Sequence, residues 1–195
     1  LRALLHRLGC DVSDLGIVPD RRDATLAALQ SAAQDHDLIL TSGGVSVGEE
    51  DHIKPAVQTL GRLDLWQIAI KPGKPFAYGR VQDAHFIGLP GNPVAVMVTF
   101  LAFVKPALLQ MMGCTALPHP LARARTREVL RKKPGRTEYQ RGIVSRNNEG
   151  ELEVITTGNQ GSGVLSSMVQ ANALIVLQHT QSTAQIGDWV DVLML

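Results

Sequence analysis

Between residues 10 and 113 the apolar positions follow two alternating rhythms. Short unbroken or alternating apolar runs give way to stretches in which apolar residues return every three or four positions, the repeat of an amphipathic helix. The runs predict strands over residues 11–18, 37–41, 65–70, 76–81 and 85–89. The helical stretches fall over residues 24–34 and 52–60, and a long helix follows Asn92. Asn92 is a good cap, and Pro93 occupies the first helical position, where a missing N–H costs nothing. At the start, Leu1, Leu4, Leu5 and Leu8 share one helical face, and Gly9 is a stop signal. Leu1 opens without a cap, so the chain reads as a piece whose upstream part is missing. Strands alternating with helices predict an α/β domain with a three-layer, mostly parallel sheet.

After Gly113 the helical period disappears. Pro118 and Pro120 mark a linker, and strands are predicted over residues 122–130, 138–145, 151–156, 173–178 and 189–193. Asn147 to Gly150 reads as a hairpin turn, and Ile186-Gly187-Asp188 as another. Five short strands in so few residues predict a small all-β domain resembling a barrel or sandwich. The expected domains are residues 1–115 and 116–195.

Composition narrows the function classes. The chain is 45% hydrophobic and 19% charged with a net charge of +1, which argues against a nucleic-acid binder driven by bulk charge and against a disordered tail. The longest apolar run, residues 94–104, is shorter than the roughly 20 residues of a membrane span, and Lys105 and Pro106 are expected to interrupt it. It reads as a core helix, with no membrane partner. Cys10 and Cys114 lie far apart without CxxC spacing. They read as reduced thiols of a cytoplasmic protein, and no targeting segment is visible. The six histidines show no paired spacing, so zinc is not expected. The motifs of a hydrolase elbow, a Walker loop and a dinucleotide fold are missing from the sequence.

In an open α/β sheet, ligands bind beyond the carboxyl ends of the strands. Four unusual loops each adjoin a predicted strand: Val18-Pro19-Asp20, Ser42 to Asp51, Lys71-Pro72-Gly73-Lys74-Pro75, and Gly88 to Pro93. In the second, Gly43 and Gly44 let the backbone approach a ligand, and Ser42 and Ser46 can donate to oxyanions. Asp51 could hold Mg²⁺, which favours carboxylates together with substrate phosphates. Asp20 offers a further acid, although an acid before a helix is more often a cap. Lys71 and Lys74 on a rigid loop suit a doubly charged oxyanion, and Lys71 is expected to point into the cleft mouth. Pro90, Gly91 and Pro93 stiffen a loop that feeds a helix N-terminus, which favours anions. Each loop also has a plain structural reading, as a turn or a capped helix start.

TSGGVSVGEED, AIKPGKPFAYG and GLPGNPVA, in that order, resemble the catalytic domain of the molybdopterin molybdenumtransferases (MoeA), related to the gephyrin E domain. RTEYQRG, TTGNQGSGVLSSM and GDWVDV resemble that family's C-terminal β domain. The resemblance spans essentially the whole chain. It implies an enzyme that takes adenylated molybdopterin and molybdate, cleaves the bond between the pterin phosphate and AMP, and releases AMP and molybdenum cofactor with Mg²⁺ assisting. It implies catalytic roles for Asp51, Lys71, Asp20 and Arg141, with Asp51 and Asp20 holding the metal. It implies substrate contacts from Ser42, Gly43, Gly44, Ser46, Lys74, Pro90, Gly91, Pro93 and Ser162. A homodimer is implied for the full-length protein. The family has upstream regions and a further acidic loop that this chain lacks, and it often has a basic residue where Gln67 stands. The activity is therefore expected of the parent protein. The alternatives are a molybdopterin adenylyltransferase, against which the β tail speaks, and a non-catalytic pterin-binding or scaffold module of the gephyrin type.

Overall fold

The computed structural model describes residues 1–45, 52–115 and 121–195. Two compact units emerge. The first comprises Leu1–Ile68 and Gly73–Lys105; the second comprises Ala69–Pro72 and Pro106–Leu195.

The first unit opens with helix α1 (Arg2–Arg7), which Gly9 ends in the left-handed region at φ +83°. Residues 11–18 form no strand. Leu15 and Val18 are exposed, and Ile17 is 98% exposed. A strand needs a hydrogen-bonded neighbour, and among the described residues none pairs with this segment. Helix α2 (Arg22–Asp35) and helix α3 (Ile53–Leu60) arise where the helical period predicted them. So do β1 (Leu38–Ser42), β4 (Ala77–Val81) and β5 (Ala84–Leu89). The strand expected over residues 65–70 is different. Strand β2 runs Gly61–Trp66, and Gln67 then turns the backbone to φ +74°. Ile70–Lys71 forms a separate short strand, β3, which belongs to the second unit.

The sheet of the first unit has the order β1-β5-β4-β2. Only β1 and β5 run parallel; β5–β4 and β4–β2 are antiparallel. The α/β class stands, but this sheet is mixed instead of mostly parallel. The cause is local: Gln82 at φ +52° and Asp83 turn β4 straight back into β5, and a two-residue hairpin makes antiparallel neighbours. Leu29, Ala32 and Ala33 of α2 and Ala56 and Val57 of α3 bury their apolar stripe with Ile39, Ala77, Val81, Ala84 and Phe86 of the sheet.

Helix α4 (Pro93–Thr99) continues through a π-helical segment, Phe100–Val104, into α5 (Lys105–Met111). Lys105 and Pro106 therefore do not interrupt it. Pro106 lacks an N–H and would clash in a regular turn, and the widened turn just before it absorbs both defects. The resulting helical stretch, Pro93–Met111, is long and apolar enough to cross a membrane by length and composition alone. Val94, Val98, Phe100, Val104 and Leu108 are nonetheless buried within the fold, as in a core helix.

The second unit is a closed barrel. Strands β6 (Ala122–Thr126), β7 (Thr137–Arg146), β8 (Leu152–Thr156), β9 (Ala173–Leu177) and β10 (Trp189–Met194) carry its wall. The order β7-β8-β6-β10-β9 returns to β7 through a β7–β9 pairing, so these five strands leave no open edge. Only β6–β8 is parallel within this ring. Strand β3 adds to β7 from outside, parallel, with Lys71 opposite Glu138. Asn147 Oδ1 accepts from the N–H of Glu149 and of Glu151, which shapes the β7–β8 turn. A short helix, α6 (Ser166–Gln170), precedes β9. The core is Ala124, Leu130, Val144, Val154, Ile175, Leu177, Val190 and Val192.

Candidate functional site

Strands β1 and β5 are adjacent and parallel, so their carboxyl ends meet: Ser42 stands opposite Leu89 in the register. The loops that leave them touch. The Gly43 N–H donates to the Leu89 carbonyl at 3.0 Å, and the Ser42 hydroxyl donates to the Pro90 carbonyl at 3.4 Å. A Cβ on Gly91 would lie 3.7 Å from Gly43 Cα, so backbone faces backbone. Gly43 and Gly44 sit at φ +90° and +68°, where other L-residues are strained. A side chain at Gly44 would also strike Ile53, the first residue of α3, at 2.7 Å. Val45 turns inward, fully buried over Gly88. Beyond Gly91, Asn92 Oδ1 accepts from the Val94 N–H, and Pro93 starts α4.

Ser42, Gly43, Gly44, Pro90, Gly91 and Pro93 are thus brought together as one backbone-lined ledge. The glycines keep side chains off it, and the α4 macrodipole favours negative charge near its start. Ser46 and Asp51, expected to complete it, lie outside the described residues.

Asp20 does not follow a strand. It is exposed beside α3, with Oδ1 4.0 Å from His52 Nε2, and His52 directly precedes the Ile53 that touches the Gly44 position. Among the described residues no group of three acids, histidines or cysteines is assembled. One open carboxylate is a poor cage, but Mg²⁺ keeps several waters and binds through one or two carboxylates plus substrate phosphates. Asp20 fits that open mode of binding. Neither cysteine is in a disulfide, and burial pushes the Cys10 thiol up, away from the thiolate a nucleophile requires.

The basic residues come from other segments of the chain. Lys74 is exposed, and its carbonyl accepts from the Ile68 N–H at 3.1 Å, closing the Lys71–Pro75 loop together with a Gln67 N–H to Phe76 carbonyl bond at 2.8 Å. Lys71 belongs to the barrel unit. Its Nζ is 3.4 Å from Oε2 of Glu138, an acid whose side chain is only 7% exposed against 52% for the lysine. Gln140 Nε2 donates to the same carboxylate oxygen at 3.4 Å.

Arg141 is 1% exposed. Its Nε donates to the Ser167 hydroxyl at 3.0 Å, and one terminal nitrogen donates to the Gly161 and Asn159 carbonyls at 3.0 and 3.5 Å. Its own N–H donates to Gln160 Oε1 at 2.8 Å. Burial pulls the guanidinium below its ordinary value, and among the described residues no carboxylate pairs with it. Arg141 therefore holds the Asn159–Gly161 loop from beneath, and Ser162 next along that loop is exposed.

Glu138 and Gln140 escaped the sequence reading. A usable signal existed. Along β7, residues 138, 140, 142 and 144 alternate inward, so a two-residue period anchored on Val144 puts an acid on the buried face. A buried acid demands a partner.

Residues 1–110 match a family described as "Probable molybdopterin binding domain", and residues 123–195 match one described as "MoeA C-terminal region (domain IV)". A molybdopterin molybdenumtransferase of Haemophilus influenzae is 41% identical over 98% of this chain, which covers 48% of that protein. Among solved structures, a molybdenum cofactor biosynthesis protein from Pyrococcus furiosus aligns with a TM-score of 0.77 at 29% identity, covering 99% of this chain and 62% of that one. A molybdopterin biosynthesis protein, MoeA, from Pyrococcus horikoshii aligns with a TM-score of 0.78 at 25% identity, covering all of this chain and 44% of that one. The chain thus spans about half the length of the curated relatives it matches.

Proposed function

Because this chain belongs to the molybdopterin-binding-domain family and carries a MoeA-type C-terminal region, we propose that its parent protein completes molybdenum cofactor as a transferase. In this reading the enzyme takes adenylated molybdopterin and molybdate, breaks the bond between the pterin phosphate and AMP, and releases AMP with the metal-loaded pterin. The observation that carries the reading is the ledge at the ends of β1 and β5, where two glycine-containing loops meet backbone to backbone. It suits a phosphorylated ligand because a helix start favours anions and the glycines leave no bulky side chain in the way.

The residues then take separate tasks. Ser42, Gly43, Gly44 and Ser46 belong to the loop that receives the phosphate, while Pro90, Gly91 and Pro93 keep the facing loop rigid. Lys71 and Lys74 offer positive charge to molybdate and to the departing AMP. Ser162 donates from a loop that Arg141 braces, so Arg141 supports the reaction through loop shape instead of direct contact. Asp20 and Asp51 would hold Mg²⁺, which neutralises phosphate charge when bound. The dithiolene sulfurs come with the substrate, so the protein needs no reactive cysteine of its own. A homodimer in the cytoplasm, with a domain boundary near residue 115, completes the proposal.

The test is AMP release from adenylated molybdopterin by the intact protein, measured with and without molybdate and with and without Mg²⁺. Release that depends on both supports the reading, and no release under any condition overturns it. Asp51→Ala should lose activity while keeping the parent's melting curve. Lys71→Ala should lose activity with stability lowered by no more than the cost, about 1–3 kcal/mol, of leaving Glu138 buried without its cation. A collapse of the melting curve would make those residues structural.

A further inference from the structure

A lysine with half its side chain in water is ordinarily a mobile charge. Its four-carbon stem samples many rotamers, and fixing it costs about 2 kcal/mol of entropy. Lys71 differs from Lys74 on the same loop because a fixed acid faces it. Strand β3 pairs with β7 in parallel and sets Lys71 opposite Glu138 in the register. The Glu138 carboxylate is buried, and its Oε2 receives both the Lys71 ammonium and the Gln140 amide, each at 3.4 Å. Gln140 is in turn tied to the barrel through Nε2 and the Arg131 carbonyl at 3.5 Å. The acid has little freedom, so the ammonium it holds has little either. An ammonium has three donors. One faces Glu138, and the exposure of the side chain leaves the others open to solvent or to an oxyanion.

We infer that Glu138 is a positioning residue that holds the Lys71 ammonium ready for an oxyanion ligand, with Gln140 bracing the acid. The inference rests on the role proposed above for Lys71. Two effects of Glu138 oppose each other. Its negative charge repels a dianion, and its grip saves the ligand the entropy of ordering the lysine. Field alone predicts that removing the charge tightens anion binding; positioning predicts that it weakens binding. Positioning also predicts that shortening the acid by one methylene, which moves the carboxylate away from Lys71, does as much harm as neutralising it.

The experiment uses the intact protein with Glu138→Gln, Glu138→Asp, Lys71→Ala and the Lys71→Ala/Glu138→Gln pair. Two readouts are taken: the molybdate dissociation constant by calorimetry, and the rate at which Lys71 is acylated by an amine reagent, followed by mass spectrometry with Lys74 as internal control. The acylation readout asks only whether Glu138 holds Lys71, and it does not depend on the transferase reading. Both Glu138 variants should raise Lys71 acylation severalfold while Lys74 stays unchanged. Both should weaken molybdate binding about fivefold, the scale of a partly exposed ion pair, and Glu138→Gln should have no further effect once Lys71 is alanine. Unchanged acylation, tighter binding in Glu138→Gln, or wild-type binding in Glu138→Asp would each overturn the positioning role. If acylation rises but Lys71→Ala itself binds molybdate normally, the ion pair stands and the assignment of Lys71 to the oxyanion fails.

Discussion

Gly88 is the residue on which the ledge rests. It is the last residue but one of β5, with Val45 packed over it, and an added Cβ would meet Val45 Cγ1 at 2.4 Å and Ala77 Cβ at 3.2 Å. Val45 is the residue that pins the Ser42–Val45 loop to the sheet. Gly88→Ala should therefore cost about 1–3 kcal/mol by overpacking. It should also weaken ligand binding by lifting that loop, which denaturant melts paired with calorimetry will separate. Arg141 acts on the other unit in the same indirect way. Arg141→Lys keeps a positive charge but cannot span Ser167 and two loop carbonyls at once. The expected result is faster proteolysis within residues 158–164 and lower activity, with the barrel still folded by circular dichroism. Tyr139 gives a pH prediction. Burial raises its pKa, so the unfolded chain ionises this phenol first and the folded chain retains the proton. The stabilisation is complete below the unfolded value of about 10 and is lost as pH climbs through the higher folded one. The melting temperature should fall over that alkaline range, and less steeply in Tyr139→Phe.

At the scale of elements, periodicity located most of the architecture. The stripes of α2 and α3, the runs that became β1, β4 and β5, and all five barrel strands follow from spacing and turn residues alone. Asn92 was readable as a cap because its side chain answers a purely local need; Asn92→Ala should lower stability by about 1 kcal/mol in a thermal melt. The loops of the ledge were readable for the same reason, since glycine and proline mark where backbone must turn or approach closely. What local pattern could not supply was partnership. Residues 11–18 carry strand-like alternation, yet a strand exists only where a neighbour offers hydrogen bonds. Residues 65–70 read as one run because nothing in their apolarity announces the left-handed turn at Gln67. The Lys71–Glu138 pair joins residues 67 positions apart, and nothing local to Arg141 announces the loop, about 20 positions on, that wraps its guanidinium. Ends of elements are local; ion pairs and sheet neighbours are not.

At the scale of the whole molecule, the two compact units are not consecutive stretches of chain. Four residues, Ala69–Pro72, leave the first unit, give β3 and Lys71 to the barrel, and return. A barrel excised as residues 121–195 would retain all five wall strands but lose the cation that answers Glu138. A buried acid without its partner costs about 1–3 kcal/mol. Glu138→Gln should therefore raise the urea midpoint of the excised barrel while changing that of the intact chain little; equal shifts in both would refute the account. The same crossover constrains how such proteins can be recombined. A single breakpoint placed in the linker would marry one parent's acid to the other parent's lysine loop. A chimaera that draws its barrel from one relative and its α/β unit from another thus needs two further junctions, flanking residues 69–72, if acid and lysine are to come from the same parent.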